Sequence, residues 1–333
     1  MITPSQDPKS FPASTGHIPV LCEEVLSALL ASEVPYKCQP QLYVDCTLGG
    51  GGHSEALIER YGKRYGAKAL EENFVLLGID QDKGVLENAQ ARLRLRYPQL
   101  KLHFYHGNFS QIKAALKSVG FPDCAGAITG GLLADIGVSS FQFDQGERGF
   151  SFNKEAPLDM RMNQAQSLSA AEVVNTYSEK ELVRVFSDFG EERFSKTIAR
   201  LISERRKEKP FETTLELSLL IKTLYQQKLP PKAYKIHPAT KVFQALRIEV
   251  NQELSVLETL LQSLPEVLGQ GARACVISFH SLEDRIVKNA FRAFYQNDGP
   301  LMLLTRKPVT ASEQEILQNP RSRSAKLRVS ERR

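Results

Sequence analysis

A chain of 333 residues, 42% hydrophobic and 24% charged, can bury one large core or two modest ones and is too apolar for a disordered polymer. Its net charge of +5 is mild, and no apolar run approaches the ~20 residues of a membrane helix. Five scattered cysteines (Cys22, Cys38, Cys46, Cys124, Cys275) and six histidines without metal-ligand spacing argue against a disulfide framework or a zinc site, and fit a reducing, cytoplasmic setting.

In chain order, residues 1–16 are rich in Pro and Ser, lack an apolar core, and read as a loose arm, not a signal peptide. From there to residue 150, "LYVDC", "FVLLGID", "LHFYHG" and "AGAITGGLLADIG" read as buried strands with helical patterns such as "KGVLENAQARLRLRY" between them. Strands alternating with helices predict an α/β fold with a parallel sheet. From Ser151 to Thr240 the only glycine is Gly190, and Ser169–Glu172, Ser178–Glu181 and Thr213–Glu216 each have capping-box spacing. Gly190, Pro210 and Pro230 then punctuate a helical insertion. Beyond it, Val242, Leu246, Val250, Leu254, Leu257 and Leu261 share one helical face, and "ARACVISF" and "SLEDRIVKNAFRAFY" resume the strand–helix pattern. The expected division is an α/β domain at 17–150 and 239–318, an inserted all-helical domain at 151–238, and a tail at 319–333. That tail carries six basic side chains against one acid, a pattern that suits either a solvated end or an arm for phosphates.

The most informative stretch is "DCTLGGGGHS", from Asp45 to Ser54, where a strand runs through four glycines into a helix. A triphosphate-binding loop would place Lys-Ser/Thr after its last glycine, where this chain has His53-Ser54. A nicotinamide loop would complete Gly-x-Gly-x-x-Gly, and neither register does so. A bare turn without a ligand gains nothing from four glycines, which lose more backbone entropy than other residues. The spacing that fits is an acid followed four residues later by Gly-x-Gly: Asp45, Gly49, Gly51. This resembles the first motif of S-adenosylmethionine-dependent methyltransferases, and Asp80 at the end of the next strand suits both ribose hydroxyls.

"HIPVLCEEVL", "DCTLGGGGHS", "DIGVSSFQFD", "RGFSF", "PLDMRM", "GEERFSKTIAR", "HPATKVFQALRIEVNQEL", "ISFHSLEDRIVK" and "NPRSRSAKLR" follow one another between His17 and Arg328. Together they resemble the bacterial RsmH (MraW) family, whose members methylate N4 of a decoding-centre cytidine in 16S ribosomal RNA. The resemblance implies a Rossmann-like class I methyltransferase sheet with an inserted helical domain. It implies S-adenosyl-L-methionine as cofactor, held by Gly51, Gly52, His53, Asp80, Phe109, Asp135 and Gln142. It also implies 16S rRNA or the small ribosomal subunit as partner and no membrane, and leaves the oligomeric state open between monomer and homodimer. Local departures are Phe141 where the family usually has Pro, Glu155-Ala156 for Asp-Gly, and Asn163 for Asp.

A sulfonium methyl group is already activated, so the demand falls on in-line positioning and on an acceptor for charge developing at the amine. Asp135, at a strand end, is the first candidate for that acceptor. His280 at the next strand end suits either a general base or a structural hydrogen bond, with Ser281 and Asp284 expected to cap the following helix. Ser139 and Ser140 line the target pocket or merely hold a turn. Lys241 in "HPATK", Arg247 and the basic tail are candidate RNA contacts, although Glu249 and Glu253 beside Arg247 fit a solvated face equally. Arg148 and Arg161 border the insertion and would line a cleft receiving an unstacked base. The rivals are a DNA or protein methyltransferase, a binding-only ribosome-assembly factor, and a nicotinamide oxidoreductase.

Overall fold

The computed structural model describes residues 18–31, 40–137, 146–230, 233, 234 and 236–333. Contacts divide the chain into two compact units, Met1–Gly137 with Leu257–Arg333, and Val138–Val256.

The first unit is built on one sheet. Its strands are β1 (Gln41–Asp45), β2 (Phe74–Asp80), β3 (Lys101–His106), β4 (Gly131–Asp135), β5 (Arg273–Ser278), β6 (Leu301–Leu303), β7 (Val309–Thr310) and β8 (Lys326–Arg332), in the order β3-β2-β1-β4-β5-β8-β6, with β7 also pairing β8. The first five run parallel, and β8 is antiparallel to β5, β6 and β7. β1 is buried along its whole length and β2 up to Asp80, as expected for parallel strands covered on both faces. The β3 run "KLHFYH" is mixed, and it occupies the sheet edge. Helices Cys22–Leu30 and Gly52–Tyr65 pack one face of the sheet, where Val25, Leu26, Leu29, Ile58 and Tyr61 join Phe74 and Leu76 in one apolar cluster. Strand order reverses beside β1, which lies between β2 and β4, and this puts the carboxyl ends of three strands at a switch point.

The 319–333 segment is not a loose arm. Its residues Lys326–Arg332 form β8 in the interior of the sheet. The high charge conceals an alternation: Leu327 and Val329 enter the apolar cluster, while the guanidinium of buried Arg328 pairs with Asp284 at 2.7 and 3.3 Å. Arg321 and Arg323, in the turn Pro320–Ser324, remain exposed.

The second unit is helical, and its core extends past the expected boundary at 238. Ala239, Val242, Phe243, Ala245, Leu246 and Val250 pack with Val173, Phe186, Ile198, Leu217 and Ile221, so the helix Thr240–Asn251 belongs to it. The apolar face read from Val242 to Leu261 is broken at Gln252, whose φ of 51° is left-handed and starts a second helix, Glu253–Val267. Ser178 and Thr213 form full capping boxes, whereas Ser169 caps only the Glu172 amide. Gly190 follows a π turn, Val185–Phe189; a Cβ there would lie 2.7 Å from the Lys241 carbonyl oxygen, so close packing explains that glycine. Residues 1–16, the first of the expected segments, lie outside the described residues.

Arg328→Ala would leave the Asp284 carboxylate half-buried without its bidentate partner. The expected loss is about 3 kcal/mol, seen as a melting temperature lower by several degrees and partly restored by adding Asp284→Asn.

Candidate functional site

The glycine loop carries the sheet's hydrogen bonding past the end of β1. Cys46 N donates to the Leu133 carbonyl at 2.8 Å and Leu48 N to that of Ile79 at 2.9 Å, so the loop is stitched to β4 and β2 before it turns. Gly51 has φ +78°, a conformation that other residues adopt only with strain, and helix Gly52–Tyr65 starts directly after it. A Cβ on Gly51 would stand 3.1 Å from Arg92 Nη2, and one on Gly52 would stand 2.9 Å from Pro19 Cγ. Arg92 donates to the Gly50 carbonyl at 2.6 Å and pairs with buried Glu55, which Arg96 also grips. The loop is therefore braced from a helix forty residues downstream.

Three carboxylates stand at neighbouring strand ends. Asp45, at the end of β1, is buried; it accepts from the Ser54 hydroxyl at 2.7 Å and the Thr47 amide at 3.2 Å. Asp80, at the end of β2, accepts from the Gly49 amide at 2.8 Å and the Asp82 amide at 2.9 Å, one on each oxygen. Asp135, at the end of β4, is pinned by its own amide, which donates to Thr47 Oγ1 at 2.7 Å. Its Oδ1 is buried with no hydrogen-bond partner among the described residues. Burial disfavours the charge on all three. It pushes Asp80 up to about 6, against the opposing pull of the Asp82 and Gly49 amides, with the Asp82 and Asp45 charges adding to the rise. It pushes Asp135 up to about 6 as well, with His53 opposing and Asp45 and Glu283 adding. Asp45 is raised for the same reason, against the Ser54 hydroxyl, His53 and the Thr47 amide.

His53, in the first turn of helix Gly52–Tyr65, is buried, with Nε2 2.9 Å from the Val20 carbonyl and Nδ1 3.8 Å from Asp135 Oδ2. Phe109 opens a 3₁₀ turn beyond β3 and is also buried; Asn108 caps that turn and ties it to Gln81 at 2.9 Å, next to Asp80. The structure thus brings Gly51, Gly52, His53, Asp80 and Asp135 to one end of the parallel strands, with Phe109 after the adjoining one. Gln142, Ser139, Ser140 and Phe141 lie outside the described residues.

The candidate RNA contacts are placed otherwise. Arg148 is buried, donating to the Arg161 and Met162 carbonyls at 2.9 and 3.0 Å. Arg161 is bidentate to Asp159 and donates to the Gln166 carbonyl at 2.7 Å. Arg247 is bidentate to Glu253 at 2.7 and 2.8 Å, so this face is an internal ion pair and not a solvated stripe. Lys241 donates to the Glu191 carbonyl at 2.7 Å. His280, and not Ser281, is the N-cap of helix Ser281–Tyr295, and Glu283 is the reciprocal acid. Asp284 is instead taken by Arg328 and Lys326. Sequence reasoning missed Thr47, the Val20 carbonyl and the Arg92–Glu55 brace. Ser54 was visible only as the residue standing where a nicotinamide loop has its third glycine, and no local pattern marks the others.

Over residues 14–333 the chain matches the model of the MraW methylase family. It is 41% identical to a ribosomal RNA small subunit methyltransferase H of Clostridioides difficile, over 95% of this chain and 98% of that one. It is 44% identical to the protein of the same name from Trichormus variabilis, over 96% and 93%. It is 42% identical to that of Synechococcus elongatus, over 100% and 98%. Matched along nearly its whole length, with the glycine loop and strand-end acids set in one sheet, the chain belongs to the MraW methylase family.

Proposed function

We propose that this chain uses S-adenosylmethionine to methylate N4 of a decoding-centre cytidine in 16S ribosomal RNA. The observation that carries the cofactor is the group of three desolvated carboxylates at the switch point, Asp45, Asp80 and Asp135. Such a cluster opposes its own ionisation and welcomes a cation. A sulfonium with an ammonium alongside suits it; a dinucleotide would bring a doubly anionic pyrophosphate to the same place and be repelled. The rRNA target follows from membership of the family and from the names of its relatives. Among the described residues no helix is long and apolar enough to cross a membrane.

The bound cofactor supplies a methyl group already activated by positive sulfur. The protein's own groups orient and discharge. Gly51 and Gly52 leave the loop backbone bare for close approach, and Asp80 retains a free lone pair on each oxygen to accept the two ribose hydroxyls. Phe109 offers an apolar face beside the adenine position. Asp135 Oδ1, without a partner among the described residues, is the acceptor for the proton of the attacking amine. The helical unit Val138–Val256 is the candidate for substrate recognition. Arg148, Arg161 and Arg247 already have internal partners, and exposed Arg323 is a further candidate for phosphate contacts.

The deciding experiment maps methylated nucleosides in small-subunit RNA after incubation with the protein and labelled cofactor, offering DNA and protein in parallel. N4-methylcytidine in the RNA is expected, and methyl incorporation only into DNA or protein would defeat the proposal. In calorimetric titration Asp80→Asn should weaken S-adenosylmethionine binding roughly 10–100-fold, the worth of charge-assisted hydrogen bonds of about 1.5–3 kcal/mol. Native affinity should itself fall as pH drops below about 6, where Asp80 gains a proton. Asp135→Asn should abolish transfer yet stabilise the free protein at pH 7.5. The folded carboxyl titrates at about 6, above the unfolded value, so its ionisation opposes folding at neutral pH and the penalty fades as pH falls toward 4. With 23% of the side chain still exposed, the expected gain is about 1–2 kcal/mol, read as a higher melting temperature at pH 7.5 and no difference at pH 4.

A further inference from the structure

The ring of His53 lies between two oxygens that differ in kind. Nε2 is 2.9 Å from the Val20 carbonyl, which only accepts, so this nitrogen carries a hydrogen in every state of the ring. The neutral ring therefore turns the bare lone pair of Nδ1 toward Asp135 Oδ2, 3.8 Å away. A second proton on Nδ1 converts that contact into a cation facing a carboxylate. The separation is too long for a hydrogen bond but short enough for strong Coulombic coupling where water is sparse.

The anchor is itself held in place. Asn319 Nδ2 donates to the Ile18 carbonyl at 2.9 Å, and the Leu21 amide donates to Glu315 Oε1 at 2.7 Å, so two residues near the end of the chain bracket Val20. Pro19 packs on Gly52, the residue preceding His53. Among the described residues, the charged or titratable groups facing Asp135 are Asp45 from the end of β1, Glu283 from helix Ser281–Tyr295, and His53. Of these, His53 alone can be positive.

We propose that His53 is a positioning residue for Asp135: clamped through Nε2 to the Val20 carbonyl, it presents Nδ1 as the counter-charge that keeps Asp135 a carboxylate able to take the amine proton. The catalytic half of this inference rests on the methyltransferase reading; the pairing itself does not. In the reaction the amine nitrogen gives its electron pair to the methyl carbon and the carbon–sulfur pair returns to sulfur. The nitrogen then sheds one proton to Asp135 Oδ1, so a sulfonium and a carboxylate become a thioether and a carboxylic acid. Because burial already pushes Asp135 up to about 6, loss of the facing cation raises it further.

His53→Gln keeps an amide nitrogen for the Val20 carbonyl and removes the group facing Asp135, whereas His53→Asn keeps a neutral donor near the Nδ1 position and gives up the anchor. The first readout is the carbon-13 titration of the Asp135 carboxyl in the free protein, with neither cofactor nor RNA. Its midpoint should rise by about one pH unit in His53→Gln, and His53→Asn carries the same test should the first variant fail to fold. The nitrogen-15 shifts of the native ring should show Nε2 protonated throughout. The second readout is single-turnover methyl transfer at saturating cofactor: the acid limb should move upward, with roughly fivefold loss at pH 6 and recovery toward the native rate at pH 8.5. An unmoved Asp135 midpoint overturns the proposal. A rate lowered equally at every pH overturns its catalytic half. Native protein that never methylates RNA defeats the methyltransferase reading instead, and leaves the titration to decide the pairing.

Discussion

The site depends on a concentration of negative charge where a parallel sheet changes direction. Asp45, Asp80 and Asp135 end three adjacent strands, and the packing that makes the sheet buries their carboxyls as well. Asp45 and Asp80 are held by a few aimed donors, the Ser54 hydroxyl and the Thr47, Gly49 and Asp82 amides, and among the described residues none of the three has a cationic side chain in hydrogen-bond contact. The free protein thus stores an unfavourable electrostatic arrangement that a cationic ligand relieves. In the proposed function, the same arrangement is what favours a positively charged donor over an anionic dinucleotide.

That arrangement persists because the surroundings leave the loop little freedom to relax. Backbone hydrogen bonds from Cys46 and Leu48 carry both neighbouring ladders into the glycine turn, and the Arg92–Glu55–Arg96 cluster clamps it from outside. On the other side, Asn319 and Glu315 fasten the Ile18–Leu21 segment whose carbonyl orients His53. Residues 300 positions apart therefore determine how one imidazole faces one carboxylate. Arg328 and Asp284 tie β8, which pairs with β5, to the helix that follows β5.

Much of this was legible before folding. The continuous apolar runs of β1, β2, β4 and β5 could only be buried parallel strands, and the spacing of Asp45, Gly49 and Gly51 separated this loop from phosphate-binding ones. The long motifs resembling one methylase family pointed to Gly51, Gly52, His53, Asp80 and Asp135, which the sheet gathers at one edge. Arg148, Arg161 and Arg247 looked available for phosphates, yet each guanidinium is spent on carbonyls or on a single acid. Charge in a sequence is a count, whereas its partner is a matter of distance.

The sequence by itself determined the order of elements, the residues at strand ends and the bare glycine turn, because periodicity, capping spacing and backbone freedom are local properties. Only the tertiary structure decided that the basic terminus is a strand within the sheet, that Thr240–Val256 joins the helical unit, and that His280 caps a helix. It alone set the ring of His53 between Val20 and Asp135. Those outcomes rest on contacts between segments far apart along the chain, and on the cost of burying a charge, which depends on what surrounds it and not on its neighbours in the sequence.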